Sequence, residues 1–242
     1  MTEPQTSSDE NLSRLDGMID ALADHHGKLM IQTWTANEAE SWSYGDVGSQ
    51  VHALACGLQE HIQAREPVIL LGPDKPSWII AALAGMRAGG VVTPLDVQLP
   101  DETLAHILRD SGADWIFTTS RHRERVKERA PDAHIVLLDA EEGDEDGWRA
   151  LVAEEGELPI NQADDTAALF YTSGTTGPPK GVPLSHRNIV FQLETVASSG
   201  ITREGDRVLL PLPLLHLHLL VIRLFFLRLL LLLHLLLYRL HR

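Results

Sequence analysis

Residues 65–96 read REPVILLGPDKPSWIIAALAGMRAGGVVTPLD. Val68–Leu71 is a short continuous apolar run, the signature of a strand buried in a sheet. Pro76–Ala88 follows with a helical pattern, its proline placed early, where a missing amide is tolerated. Gly89 and Gly90 stop that helix. Val91–Leu95 then reads as a second strand. Strand, helix and strand in this order argue for an α/β fold with a largely parallel sheet.

The same alternation extends outward in both directions. Residues 1–10 form a loose polar tail. Leu12, Leu15, Ile19 and Leu22 give a helical stripe that ends near Gly27. Leu29–Trp34 is expected to be a strand and Tyr44–Ile62 a helix, with Val47, Val51, Leu54 and Leu58 as its apolar positions. Asp101–Ser111 is a helix that turns Leu104, Ile107 and Leu108 inward, and Gly112 is its stop signal. Trp115–Thr119 and Ile135–Leu138 are strands around a charged helix at 121–129, and the acidic run Glu141–Asp146 is a solvated loop. Ala167–Tyr171 is a strand, Ser185 caps a helix at 186–198, and Val208–Leu212 is one more strand.

One segment carries chemistry. Residues 171–182 read YTSGTTGPPKGV. Gly174, Gly177 and Gly181 free the backbone and let a ligand approach closely. Thr172, Ser173, Thr175 and Thr176 supply hydroxyls that both donate and accept hydrogen bonds, and Lys180 supplies a mobile charge. Amides, hydroxyls and one cation suit a polyphosphate. The segment is not a Walker A loop: counting from Gly174 puts Pro179 where the second glycine belongs, and Gly181 stands where Ser or Thr should hold a metal. No Gly-x-Gly-x-x-Gly is present either. The loop follows a strand of the sheet, and ligands of such sheets lie beyond the carboxyl ends of strands.

Composition bounds the alternatives. The 242 residues carry 34 acidic and 20 basic side chains, a net charge of −14. That balance argues against nucleic acid and against an anionic membrane, both of which call for clustered Lys and Arg. The single cysteine, Cys56, allows no internal disulfide, and it lies among apolar residues of a helical pattern as an inert thiol. His25, His26, His52, His61, His106, His122 and His134 share no ligand spacing and are read as surface or core positions; no metal site is expected. No secretory signal opens the chain, which makes the cytoplasm the default compartment.

The segment 171–182 resembles the phosphate-binding signature of the adenylate-forming superfamily, which includes acyl-CoA synthetases, amino-acid-adenylating domains and luciferases. Residues 65–96 are similar to the family's early strand–helix–strand, and Ser43-Tyr44 with its following helix is similar to another family segment, Val47 standing where Leu is usual. Ser185-His186-Arg187-Asn188 and VLLPLPLLH at 208–216 follow the family's order. The resemblance covers residues 28–218 and implies layered, largely parallel sheets flanked by helices, part of the large N-terminal domain of the adenylate-forming fold. It implies ATP-dependent activation of a carboxylic acid, a fatty acid by general likeness, to an acyl-adenylate, followed by thioester formation with coenzyme A and with magnesium as the metal. Thr172, Ser173, Gly174, Thr175, Thr176, Gly177 and Lys180 would hold the β- and γ-phosphates, and His216 would line the acyl pocket.

From Leu214 onward the composition changes. Sixteen of 29 residues are Leu, with four Arg and no acidic side chain. Leu215 and Leu219 depart from the family's aromatic residue and glycine. A shifted reading frame in the gene, a membrane helix over 214–238 and a buried core helix all fit this segment; Arg223 and Arg228 count against the membrane helix at about 3 kcal/mol each. Family parts that would follow are not found: the segment supplying the magnesium-binding Glu, the ribose-binding Asp, the hinge and the small domain with its adenylating Lys. The expectation is a tail at 1–10, a partial AMP-binding domain at 11–213 and an anomalous segment at 214–242, together an inactive N-terminal fragment. A non-catalytic nucleotide-binding module and a membrane-tethered fragment are the other classes.

Overall fold

A computed structural model describes residues 14–34, 39–172, 177–200 and 206–207. The chain begins with helix α1 (Leu15–Asp20), which tightens into a 3-10 turn at Ala21–His25. The hairpin of β1 (Leu29–Trp34) and β2 (Ala39–Ser43) follows, with Ile31 opposite Trp42. Helix α2 (Tyr44–Gln59) comes next. Its start is held by a capping box in which Ser43 Oγ accepts from the Asp46 amide at 3.0 Å and Asp46 returns the bond to the Ser43 amide at 2.9 Å.

The body is a six-stranded sheet in the order β6-β5-β3-β4-β7-β8. Its strands are β3 (Pro67–Leu71), β4 (Val91–Leu95), β5 (Trp115–Thr118), β6 (His134–Leu137), β7 (Thr166–Thr172) and β8 (Lys180–Ser185). β3 to β7 run parallel, and β8 returns antiparallel along β7 at the edge. The connecting helices are α3 (Pro76–Arg87), α4 (Asp101–Ser111), α5 (Arg123–Lys127) and, after β8, α6 (His186–Ser198). Parallel strands need such crossovers, and a sheet covered on both faces reads as the continuous apolar runs found in the sequence.

Strand alternation divides the core in two. On β3, Val68 and Leu70 join one cluster with α1, α2, α3 and α6; Ile69 and Leu71 join the other with α4 and α5. Helix α3 is buried along nearly its whole length, from Trp78 to Met86, because helices pack on one side of it and the sheet on the other. Cys56 is fully buried in α2, and burial pushes its thiol pKa up, the inert state expected for it. Gly112 closes α4 in the left-handed region at φ 63°, where glycine carries no Cβ penalty.

The structure amends several expected boundaries. The first helical stripe becomes an α-turn followed by a 3-10 turn, α2 stops at Gln59 and not Ile62, and the charged helix is confined to Arg123–Lys127. Two strands, β2 and β8, lie where no strand was expected. The expected strand at 208–212 and the whole Leu-rich segment lie outside the described residues. Among the described residues no helix is long and apolar enough to cross a membrane.

Candidate nucleotide-binding loop

β7 is built to bring its last residues to the carboxyl edge of the sheet. Ala167 and Ala168 are fully buried, and Ala168 pairs with Val92 of β4. Exposure then rises along the strand to Thr172, which is open to solvent. The chain turns and comes back as β8. Thr172 and Lys180 are register partners across the neck of this hairpin, with Thr172 Oγ1 3.5 Å from the Lys180 carbonyl. Lys180 is exposed, and Gly177 lies in open space, where nothing would meet a Cβ within 4 Å. Of the residues singled out in the sequence, Thr172 and Lys180 thus face each other at the ends of their strands, and Gly177 lies in the segment between them. Ser173, Gly174, Thr175, Thr176 and His216 lie outside the described residues.

The neck is shaped by strand alternation. Phe170 packs on the cluster shared with α3 and α6, whereas Tyr171 packs on the opposite cluster, beside α4. Gly181, opposite Tyr171, keeps that face clear: a Cβ there would sit 2.9 Å from Leu169 Cδ1 and 3.5 Å from the Tyr171 ring. The Tyr171 hydroxyl donates to Asp110 Oδ2 at 2.7 Å. Burial and then this carboxylate push the Tyr171 pKa well up, so the phenol stays protonated. His106 Nε2 lies 3.1 Å from the Pro179 carbonyl oxygen. From the sequence His106 reads only as a surface or core position, and Asp110 is not singled out. His106 sits between the inward positions Leu104 and Ile107, and nothing local marks it.

The base of the hairpin is fixed to α6. Ser185 Oγ accepts from the Asn188 amide at 3.2 Å, and Asn188 Oδ1 accepts from the Ser185 amide at 3.0 Å, the cap expected from the sequence. The His186 and Arg187 amides donate to the carbonyls of Asp165 and Ala163 at 3.0 and 2.8 Å. The Asp165 carboxylate accepts the Gln162 amide at 2.9 Å and pairs with Arg65; the amide bond first, and Arg65 after it, hold its pKa below the usual range. His186 is buried, and burial lowers its pKa against the pull of Asp16 and Asp165. Among the described residues no three His, Cys, Asp or Glu side chains converge as a metal site would require.

A family model described as AMP-binding enzyme matches residues 20–230, and the chain belongs to that family. The match begins before Lys28 and runs past His218 into the Leu-rich segment, beyond the reach of the resemblance read from the residues. Among curated relatives, a feruloyl-CoA synthase of Amycolatopsis sp. is 34% identical over 175 residues, 72% of this chain and 34% of that protein. Tyrocidine synthase 3 of Brevibacillus parabrevis is 33% identical over 171 residues, 70% of this chain and 2% of that protein. The chain therefore spans about a third of the first relative and a small part of the second. Among solved structures, the O-succinylbenzoate coenzyme A synthetase of Bacillus subtilis in complex with AMP superposes with a TM-score of 0.72 at 24% identity, covering 87% of this chain and 52% of that one. The fold is that of the N-terminal region of adenylate-forming enzymes.

Proposed function

We propose that residues 172–180 cradle the β- and γ-phosphates of ATP in an enzyme that activates a carboxylic acid. The observation that carries this reading is the hairpin neck at the carboxyl edge of the parallel sheet, with Thr172 and Lys180 paired across it and Lys180 open to solvent. A carboxylate is a poor acyl donor because its oxygen leaves badly. In the proposed reaction that oxygen attacks the α-phosphorus of ATP, the bond to the bridging oxygen breaks, and pyrophosphate departs with the electron pair. A thiol then attacks the acyl carbon and AMP leaves. Positioning and charge stabilisation do most of such chemistry. Lys180 would offset charge on the departing pyrophosphate, and the Thr172 hydroxyl would donate to a phosphate oxygen. A magnesium ion would arrive bound to the triphosphate and spread its charge. Ser173, Gly174, Thr175 and Thr176 complete the proposed cradle, and His216 is proposed to line the acyl pocket. The name of the feruloyl-CoA synthase supports coenzyme A as the acceptor thiol, and a fatty acid is the proposed substrate by the general likeness of the chain.

Calorimetry on the 242-residue chain with ATP and magnesium tests the binding step. Saturable binding is expected, and Lys180→Ala should weaken it by about tenfold, ~1.4 kcal/mol. A folded chain that takes up no ATP, or binds it equally without Lys180, overturns the reading. A nucleotide-binding module without turnover is the second reading. ATP binding with no pyrophosphate exchange across a panel of acids selects it.

A further inference from the structure

Helix α4 touches the stems of the candidate phosphate loop at two points. His106 and Asp110 stand four residues apart, one above the other on a single helix face. His106 reaches the Pro179 carbonyl at 3.1 Å. A carbonyl oxygen only accepts, so Nε2 carries the proton and donates. Asp110 receives the Tyr171 hydroxyl at 2.7 Å. Pro179 immediately precedes Lys180, and Tyr171 immediately precedes Thr172. The two bonds therefore grip both sides of the neck, Tyr171 one residue outside the pair that closes the loop and Pro179 one residue inside it.

The helix is a rigid support for such a grip. Leu104, Ile107 and Leu108 are buried in the sheet's core cluster, which fixes its other flank. Its first residue, Asp101, is held by Arg125 at 2.7 Å and Arg129 at 2.6 Å. Arg125 also donates to the Val97 carbonyl at 3.0 Å, tying down the approach to the helix. The loop itself has the opposite character. Gly177, on the loop side of Lys180, stands in open space, and a glycine gives up more backbone freedom than other residues when it is ordered.

We propose that His106 and Asp110 are positioning residues, which clamp the neck of the 172–180 hairpin so that Lys180 meets the triphosphate from a fixed place. The clamp removes conformational freedom before the ligand arrives, which is how preorganisation raises affinity. It rests on the reading of this loop as a phosphate cradle.

Two measurements on the full chain test it. The first is amide hydrogen exchange across 166–185, compared with β3 and α4. His106→Ala and Tyr171→Phe should each speed exchange in the stems roughly fivefold, the loss of one hydrogen bond of ordinary strength, with β3 and α4 unchanged. The second is calorimetry with ATP and magnesium, where the same variants should weaken binding by roughly three- to tenfold although Lys180 is intact. His106→Gln, whose amide can donate to the same carbonyl, should recover most of both losses, which a purely structural histidine would not predict. Tyr171→Phe keeps the partly buried ring in its cluster, so the fold survives the change. Unaltered exchange in the stems of both variants overturns the clamp. Faster exchange with unaltered ATP affinity overturns its role in binding. If the unmodified chain binds no ATP, the nucleotide reading fails with the positioning role, and the exchange data still decide whether α4 holds the hairpin.

Discussion

His186 shows how one buried side chain couples this fold to pH. It is the first residue of α6, it is 4% exposed, and its Nδ1 has no hydrogen-bond partner among the described residues. Burial is the main cause of its lowered pKa; Arg14 acts in the same direction, and Asp16 and Asp165 oppose it. In the unfolded chain its imidazole takes a proton near pH 6.5. Below about that pH the unfolded state binds more protons than the folded one, so stability falls with pH until the folded-state pKa has been passed, and it is level above. His122, lowered first by burial and then by Arg121 and Arg125, acts in the same window and with the same sign. The carboxylates with lowered pKa, Asp16, Asp46, Asp101 and Asp165, contribute separately, losing their stabilisation only as pH falls below about 4. The urea midpoint should therefore drop as pH falls below about 6.5, and His186→Gln combined with His122→Gln should flatten that slope. A slope that persists in the double variant would rule out this pair as its origin.

Among the elements, the crowding between α2 and the turn at Trp148–Leu151 makes the sharpest demand. The Ala153 amide donates to the Ala53 carbonyl of α2 at 2.9 Å, and the chain passes directly over Gly57. A Cβ on Gly57 would lie 1.5 Å from the Leu151 carbonyl oxygen, a contact that only backbone movement can relieve. On an open helix surface, Gly→Ala stabilises by about 0.5–1 kcal/mol. Here the overlap decides the sign: Gly57→Ala should cost about 1–3 kcal/mol in urea denaturation and should loosen Trp148, which is 1% exposed, enough to shift its fluorescence to the red. An unchanged or raised midpoint would mean that the turn can move away without loss.

The molecule as a unit is organised by one sheet with a core on each side. Ile69 and Leu70 are adjacent on β3, both fully buried, and they face opposite clusters. Because β3 to β7 each contribute to both clusters, neither core can open without disturbing the other. Ile69→Ala and Leu70→Ala should each cost about 2–5 kcal/mol. In both variants the transitions followed by far-UV circular dichroism and by tryptophan fluorescence should coincide. Two separated transitions in either variant would show that the faces unfold independently.

Much of this architecture was legible along the chain. β3, α3 and β4 stand where 65–96 places them, because a buried strand and a flanking helix write their burial into local apolar periodicity. Gly112 and Ser185 marked helix ends for equally local reasons, a left-handed backbone and a side-chain cap. β2 and β8 were not legible. AESWS is mostly exposed and KGVPLS carries a glycine and a proline, so neither shows an alternation to read. Thr172 and Lys180 were legible as a pair of chemistries, but their pairing across one neck belongs to strand register. His106 at Pro179, Asp110 at Tyr171, Arg65 at Asp165 and Gly57 under Leu151 join residues tens of positions apart. Local pattern sets which elements form and roughly where they end. Contacts between distant segments are set by how the layers pack, since packing brings together groups whose separation along the chain carries no record of their meeting.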